Sequence, residues 1–421
     1  MQRSTRVAVP ALTAVAGLLV AGAVSGLAAG PAGAATADRG KTGKTFNIQS
    51  GTTLSGVDAA TTKNGTTYVA WIGDKASTPG LRNLHLCVLK TKSKSCVGGM
   101  QTGSALGDSS ARDVKVVVSG NSVELVWIAQ VDPDSGEFSG VFGTNTISHN
   151  KLGTSVAVPG APTLGSLTSA IPHKGGGVSI AAVGESGTLD RRAYYYSTVS
   201  ATPKTFVRPY FVGNAQLADN GKRTVLTTSA YGSLDGKVAV ASKASHGSKW
   251  TGFKNVKGSY TDGGMERVVT AGKSIRMVGV AAKAIYLPHT WTWKGKSFGK
   301  PKSSGDGNDV FGLDASSDPS GRLVTAGGES GGLMVSNYAK GSHAYRFLFK
   351  VKQTLAGGPA QITTRSNGHG FLIWGIDKTG VTGQILRAQA IKVPMPPKHH
   401  RHHHRGAHGH IGTPSTTLGR R

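Results

Sequence analysis

The chain has 421 residues, and its 48 Lys and Arg against 21 Asp and Glu give a formal net charge of +27. Gly is unusually frequent, at 61 residues, and no helix-period apolar stripe of useful length follows the N-terminal segment, which argues against an α-helical or coiled-coil protein. The charge favours anionic partners.

The N-terminus has the pattern of an export signal. Arg3 and Arg6 precede an apolar stretch over 7–29, and small residues follow at Ala32-Gly33-Ala34. We therefore predict a signal peptide over 1–34 and a secreted, extracellular protein that is associated with the cell wall and has no transmembrane segment after cleavage. A retained membrane anchor is the alternative. Residues 35–43 are expected to form a flexible leader.

The body, 44–393, repeats one phrase: a short apolar run, a tight turn with Gly, and a second apolar run. A turn of this kind joins antiparallel strands in a hairpin. The turn glycines are 45 to 56 residues apart and are Gly65, Gly120, Gly176, Gly221, Gly272, Gly321 and Gly368. Repeats of that length with several strands each predict an all-β fold, a seven-bladed β-propeller of four-stranded blades. A long β-sandwich meander is the alternative.

The two ends of the body are predicted to pair. A lone strand over 45–49 precedes the first repeat, and the run 384–393 ends the last one. Pairing of these N- and C-terminal strands would close the ring and remove open sheet edges. We expect a monomer.

The two cysteines, Cys87 and Cys96, flank a short polar segment. A tight turn at Thr91-Lys92 would place them opposite each other on a hairpin, within disulfide reach. We predict a structural disulfide in the first blade. A two-cysteine metal site is the alternative, but no His lies beside them at ligand spacing.

Charges separate by loop type when the strands of each repeat are labelled A to D from the axis outward. A–B and C–D turns then lie on one face, and B–C and D–A loops lie on the other. The first kind of turn is basic. We predict a polyanion-binding surface there, called the basic turn face, formed by Lys63, Lys92, Lys94, Lys222, Arg223, Lys273, Lys294 and Lys296. Further lysines at or near these turns are Lys174, Lys204 and Lys243. Such a face attracts polyanions with an affinity that falls with salt.

The opposite loops are acidic. The ligand candidates on this top face are Asp74, Asp132, Asp134, Glu185, Asp190, Glu266, Asp306, Asp309 and Glu329. None of these loops matches the twelve-residue calcium loop, so calcium is not favoured. A plain alternative for both faces is that Lys and Asp are common turn residues that protect strand ends.

The last segment, 394–421, is rich in His and Arg and is predicted to be disordered. Its candidate metal ligands are His399, His400, His402, His403, His404, His408 and His410. Neutral imidazoles at this density bind Zn²⁺, Ni²⁺ or Cu²⁺ adventitiously, whereas a pH-dependent polyanion anchor and an expression tag are other interpretations. No cofactor is required by the sequence.

Two stretches, SSDPSGRLVTAGG (316–328) and TTKNGTTYVAWIG (61–73), resemble the inner hairpins of secreted bacterial propellers of the sialidase-like, BNR-repeat kind. The resemblance covers about 45–393 and concerns architecture. It implies a propeller fold, but the Asp-box and the arginine signature of sialidases are not matched. Tyr194, Tyr195 and Tyr196 near Glu185 could be offered as nucleophile and base, although adjacent tyrosines on a strand more often pack in a core.

We therefore predict an exported, non-catalytic binding or scaffold propeller at the cell envelope. Its basic turn face and tail would contact an anionic cell-wall polymer or polysaccharide. No specific nucleic-acid partner is expected, since no DNA- or RNA-reading motif is present. The alternative is a divergent sialidase-like glycoside hydrolase or lyase that uses the acidic top-face loops.

Overall fold

The structure is a computed structural model, and its described residues belong to one compact unit within Arg39–Arg421. The described residues are 41–52, 54–74, 82–103, 110–130, 140–158, 166–184, 192–198, 200–230, 237–260, 266–281, 284–303, 311–317, 323–329, 332–338, 346–351, 360–365, 367–377 and 384–394. The predicted signal peptide and leader lie almost wholly outside these ranges, as does nearly all of the tail.

The described ranges form thirty strands in seven antiparallel sheets. The N-terminal strand is β1 (Lys41–Thr52). Sheets 1 to 3 consist of β2 (Leu54–Thr61), β3 (Thr67–Asp74), β4 (Arg82–Leu89) and β5 (Gln101–Gly103); β6 (Ser110–Ser119), β7 (Ser122–Gln130), β8 (Gly140–Ser148), β9 (Lys151–Leu152) and β10 (Val156–Ala157); β11 (Ser166–Pro172), β12 (Val178–Val183), β13 (Arg192–Ser197) and β14 (Ser200–Val207).

Sheets 4 to 7 follow the same order along the chain. They consist of β15 (Val212–Asp219), β16 (Arg223–Ala230), β17 (Ala239–Ala244) and β18 (Lys254–Asn255); β19 (Ser259–Tyr260), β20 (Arg267–Ala271), β21 (Ser274–Ala281), β22 (Ala284–Thr292) and β23 (Lys302–Ser303); β24 (Phe311–Ser317), β25 (Leu323–Glu329), β26 (Gly332–Tyr338) and β27 (Arg346–Val351); β28 (Gln361–Thr364), β29 (His369–Asp377) and β30 (Gln384–Lys392), with β1 as the fourth strand.

The hairpins form where the sequence predicts them. Gly65 (φ +89°) and Gly120 (φ +64°) have left-handed backbone conformations that glycine adopts without strain. At the first turn, the side-chain carbonyl of Asn64 also accepts a hydrogen bond from the backbone N–H of Thr66, at 3.2 Å. These local preferences fix the register in which β2 pairs with β3 and β6 pairs with β7.

The sheets pack face to face through apolar side chains. β2, β6, β11, β15, β20, β24 and β28 contact one another in that order, and β28 contacts β2. Buried apolar clusters lie between sheets 1 and 2, 2 and 3, 3 and 4, 4 and 5, 6 and 7, and 7 and 1. The predicted all-β propeller with four-stranded units is confirmed, and the sandwich alternative is not supported.

The two ends of the body pair as predicted. Residues of β1 pair with β30 from Lys41 opposite Lys392 to Thr52 opposite Gln384, with three register shifts between them. The side-chain amide of Gln389 also donates to the carbonyl oxygen of Gly43, at 2.8 Å. The N-terminal strand therefore completes the sheet that holds the C-terminal strand.

The predicted disulfide is present. Cys87 and Cys96 are joined, with their Cα atoms 5.1 Å apart. The turn between them is at Thr91-Lys92, because the backbone N–H of Ser93 donates to the carbonyl oxygen of Lys90 at 2.8 Å. Within the described residues we find no helix that is both long and apolar enough to cross a membrane.

Candidate functional site

All eight residues of the predicted basic turn face are described, and all eight are exposed. Lys63, Lys222 and Lys273 lie in A–B turns, as predicted, and Lys94 and Lys294 follow the third strands of sheets 1 and 5. Arg223 is the first residue of β16. These five lysines lie between strands, and Arg223 begins one, because the turns carry the cations.

Hydrogen bonds between neighbouring sheets bring the A–B turns together. The backbone N–H of Lys63 donates to the carbonyl oxygen of Gly120, at 3.5 Å. The ammonium group of Lys174 donates to the carbonyl oxygen of Gly221, at 2.9 Å. The turns of sheets 1 and 2, and those of sheets 3 and 4, are therefore direct neighbours.

A further contact of this kind joins sheets 4 and 5, where the side-chain amide of Asn220 donates to the carbonyl oxygen of Lys273 at 3.1 Å. A cavity of about 660 Å³ opens beside these turns and is lined by the ends of β11, β15 and β20. Lys174 lines this cavity, and the turns that carry Lys222 and Lys273 adjoin it through the contacts of sheet 4 with sheets 3 and 5.

Two half-buried acids lie close to the A–B turns, Glu124 and Asp219. The carboxylate of Asp219 accepts hydrogen bonds from the backbone N–H of Gly221 and from the hydroxyls of Thr224 and Ser245, at 2.6 to 2.8 Å. Because its oxygens are occupied in this way, Asp219 supports the turn and competes little with an external anion.

The structure also contains an inner set of polar residues that the sequence analysis missed. In five sheets the pairing of the innermost strand with the second strand contains a register shift. The first paired residue after the shift is polar in each case: Asp58, Asp113, Ser169, Asn214 and Asp314. A β-bulge of this type redirects a side chain. A sequence signal exists for this set, because each member lies seven residues before a turn glycine.

Several of these side chains bond to the next sheet. The carboxylate of Asp58 accepts from the backbone N–H of Val116 at 2.7 Å, and that of Asp314 accepts from the N–H of Ile362 at 2.8 Å. The hydroxyl of Ser169 likewise accepts from the N–H of Leu217, at 3.2 Å. The inner set therefore links successive sheets.

Two cations balance the inner carboxylates. The ammonium group of Lys115 lies 3.3 Å from Asp113, and the guanidinium of Arg267 lies 3.6 Å from Asp314. Burial raises the pKa of Asp58 to about 6, although Lys115 lowers it, and burial also raises the pKa values of Asp113 and Asp314. Asp58 and Asp314 thus contribute to junctions between sheets, whereas Asp113 and Lys115 pair within β6.

Glu266 lies in the loop directly before β20, where the sequence places it, but its side chain is buried. Its side chain is only 3% exposed, and neither carboxyl oxygen has a hydrogen-bond partner of ordinary geometry among the described residues. Burial raises the pKa of this carboxyl, while Ser229 and Arg267 lower it. The side chain of Glu266 turns into the packed junction with sheet 4, so its role as a top-face ligand residue stays a prediction.

The other top-face candidates are described little or not at all. Asp74 and Glu329 are the last residues of β3 and β25, so their backbones lie at the predicted ends of these strands. The remaining acids lie outside the described residues: Asp132, Asp134, Glu185, Asp190, Asp306 and Asp309. The tail histidines, His399 to His410, do so as well.

The described residues contain no group of three or more His, Cys, Asp or Glu that could hold a metal ion. Tyr194, Tyr195 and Tyr196 are buried in the apolar clusters on the two sides of sheet 3. These tyrosines thus contribute to packing, whereas Glu185 lies outside the described residues.

Comparison with known proteins supports the same architecture. No protein-family model matches the chain, and no curated protein matches its sequence. The WD40 domain of Toxoplasma gondii coronin is similar in structure, with 12% identity, a TM-score of 0.51, and coverage of 86% of this chain and 90% of that one. The fold is a β-propeller.

Sialidases are also among the similar solved structures. The Trypanosoma rangeli sialidase has 9% identity and a TM-score of 0.44, over 82% of this chain and 55% of that one. The Hadza microbial sialidase has 11% identity and a TM-score of 0.48, over 80% of this chain and 65% of that one. This chain spans about half to two thirds of their lengths. At such low sequence identity, a structural likeness does not indicate a shared activity.

Proposed function

We propose that this protein is an exported, non-catalytic binding module that attaches to an anionic cell-wall polymer or polysaccharide through its basic turn face. The observation that carries the proposal is the contact between A–B turns of sheets 3, 4 and 5, which places the exposed Lys174, Lys222 and Lys273 on adjacent turns. A continuous surface of one sign attracts a polyanion more strongly than the same charges scattered.

The arrangement of the A–B turns around the molecule also bears on how a polymer could bind. We infer that the seven sheets are the blades of one closed, seven-bladed propeller. The contact of β28 with β2 and the pairing of β1 with β30 support this inference. In a closed ring every A–B turn borders the same opening, so a flexible polymer can contact several turns at once.

The sequence adds two elements to this proposal. The signal peptide over 1–34 would deliver the protein to the outside of the cell, where the disulfide between Cys87 and Cys96 is stable. The tail over 394–421 would add a second cationic contact that strengthens below about pH 6, as its histidines become protonated.

The test is co-sedimentation of the full chain with purified bacterial cell walls across a salt series. One variant replaces three turn lysines (Lys222→Gln, Lys273→Gln, Lys294→Gln). We expect binding to weaken by about a hundredfold at low salt, because each of the three lysines near an anionic surface contributes about 1 kcal/mol.

The matched control removes the same charge from the opposite strand ends of sheet 4 (Lys237→Gln, Lys254→Gln, Lys257→Gln), where all three lysines are also exposed. This control should bind almost like the parent. Equal losses in the two variants, or binding that salt does not change, would contradict a basic turn face.

A further inference from the structure

A second cavity, of about 290 Å³, lies between sheets 3 and 4 on the side of the basic turns. The residues that matter for its chemistry are His173, Lys174, Tyr195, Lys204, Lys243 and Trp250. They come from the A–B turn and outer strands of sheet 3 and from the third strand and following turn of sheet 4. Three lysines thus converge on a concave site.

Lys243 is the most unusual of these residues because its side chain is only 5% exposed. Its ammonium group donates to the carbonyl oxygen of Gly247, at 2.9 Å, and lies 5.1 Å from the ring centre of Tyr195 and 5.8 Å from that of Trp250. No ion pair to Lys243 occurs among the described residues. An ammonium group has three donors, so this buried cation retains donors for a ligand.

The lining is cationic without a direct counter-charge. No Asp or Glu is among the described residues that line the cavity. Asp219 lies behind it and accepts a hydrogen bond from Ser245, but its other hydrogen bonds are to Gly221 and Thr224. Lys174 and Lys204 are exposed and add two further positive charges at the rim.

The walls of the cavity are held by contacts that exist without a ligand. Trp250 packs edge to face against Tyr195 and Phe206, with ring centres 5.0 and 5.4 Å apart. The hydroxyl of Ser179 is 3.1 Å from the Tyr195 hydroxyl and 2.8 Å from Nδ1 of His173. A site formed in advance avoids part of the ordering cost of binding.

We propose that this cavity binds a phosphate group. This inference rests on the proposed function, for which the cavity would recognise individual phosphates of the polymer. Lysine binds phosphate as a point charge, and a phosphate group offers the three lysines more negative charge and more acceptor oxygens than a carboxylate does. The volume suits one small anionic group, since it is at the lower end of the usual range for ligand sites.

The test uses titration calorimetry of the full chain at low salt with inorganic phosphate and glycerol 1-phosphate, and with acetate for comparison. A double variant at the rim, Lys174→Met with Lys204→Met, is compared with Lys237→Met with Lys254→Met, which lies outside both the cavity and the basic turn face. All four lysines are exposed, so both variants should fold, and they lose the same charge. We expect the first pair to lose affinity for both phosphates about tenfold or more, and the second pair to change it less than twofold.

Three results would overturn the phosphate site: no phosphate binding by the parent protein in the millimolar range, equal losses in the two variants, or acetate binding as tight as that of phosphate. The same protein samples are tested for cell-wall co-sedimentation. If walls still bind in a salt-dependent way, the phosphate site fails and the basic turn face stands. If walls do not bind either, the proposed function fails with it.

Discussion

The carboxylate of Asp58, in sheet 1, accepts a hydrogen bond from the backbone N–H of Val116, in sheet 2, at 2.7 Å. This bond joins two innermost strands that are 58 residues apart in the chain. Val116 is 6% exposed, so its N–H group has little access to water as an alternative partner. The stability of this junction therefore depends on an oxygen at position 58.

Two substitutions separate the oxygen of Asp58 from its charge. In Asp58→Asn the amide oxygen can still accept from Val116, so we expect little loss of unfolding free energy at pH 7. In Asp58→Ala the N–H group is left unpaired, which costs about 1–3 kcal/mol. Chemical denaturation of both variants measures this difference. Similar losses of unfolding free energy in Asp58→Asn and Asp58→Ala would show that the hydrogen bond to Val116 contributes little.

The charge of Asp58 should appear in the pH dependence of stability. Burial raises the pKa of Asp58 to about 6, Lys115 lowers it, and Asp314 and Asp113 raise it. Between about pH 4, where an aspartate titrates in the unfolded chain, and pH 6, the folded protein holds a proton that the unfolded chain has lost. The stability that Asp58 contributes therefore falls as pH rises through this window.

The difference between the parent and Asp58→Asn reports this effect together with the charge coupling of Asp58 to Asp113 and Asp314, because groups that do not interact with Asp58 are common to both proteins. His85 is one such group: burial lowers its pKa, so its contribution rises with pH up to the unfolded value. Relative to Asp58→Asn, the parent should lose unfolding free energy from pH 4 to pH 6. A constant difference across this range would mean that the pKa of Asp58 is not raised.

The repeat made the architecture predictable from the sequence. A glycine-containing turn between two apolar runs predicts a β-hairpin, and the regular recurrence of hairpins along the body indicates a propeller. The pairing of 45–49 with 384–393 was also predictable, since a short strand before the first repeat needs a partner. The disulfide followed from the turn at Thr91-Lys92.

The inner polar set was harder to predict, although its spacing is regular. Asp58, Asp113 and Asp314 were hidden because an acid on a strand is usually a solvent-facing residue. Asp58 and Asp314 accept hydrogen bonds from the adjacent sheet, at positions that depend on a bulge. The burial of Glu266 was missed for a related reason, since sequence gives the order of strands and loops but not which loop residues enter a junction.

The cavity next to Lys243 could not have been predicted either. Its residues come from two repeats, and nothing in the sequence shows that Tyr195 and Trp250 are neighbours. The basic character of the turns was visible in the sequence, whereas the burial of one lysine among aromatic rings depends on packing between sheets. Sequence therefore indicated the face, and structure was needed to find a site within it.

Reduction of the disulfide should destabilise sheet 1. Cys87 and Cys96 close a loop with a sequence separation of 9, for which chain entropy corresponds to about 2–3 kcal/mol of unfolding free energy. We expect a loss of that size when the parent protein is unfolded with a reductant present. The control is Cys87→Ala with Cys96→Ala, whose stability should not respond to reductant. A parent protein that is equally indifferent would show that the bond adds nothing.

The contact of β1 with its sheet can be tested at Phe46, which packs partly buried against the cluster between sheets 7 and 1. Phe46→Ala should lower the unfolding free energy by about 1–2 kcal/mol, because part of a large apolar side chain returns to water. Phe211→Ala is the control, since Phe211 is 39% exposed. Thermal and chemical unfolding measure both variants. Equal, small effects would argue against packing of β1 on the last sheet.

The pairing of Gly143 with Trp127 makes a prediction about the core of sheet 2. The two residues are opposite each other on β8 and β7, and a methyl group at position 143 would overlap the indole ring. That ring is fully buried, and its N–H donates to the side-chain carbonyl of Asn145 at 2.6 Å, so it has little freedom to move. Gly143→Ala should therefore cost about 3 kcal/mol of unfolding free energy, as overpacking does elsewhere.

Gly252→Ala is the matched control for this substitution, because a methyl group at position 252 meets nothing within 4 Å. It should be neutral or stabilising by a few tenths of a kcal/mol, through the lower entropy of the unfolded chain. A second variant tests the cause directly: Trp127→Phe provides room for the new methyl group. The losses of Gly143→Ala and Trp127→Phe should then be less than additive in the double variant, since residues in contact couple. Simple additivity would mean that the indole ring is not what limits position 143 to glycine.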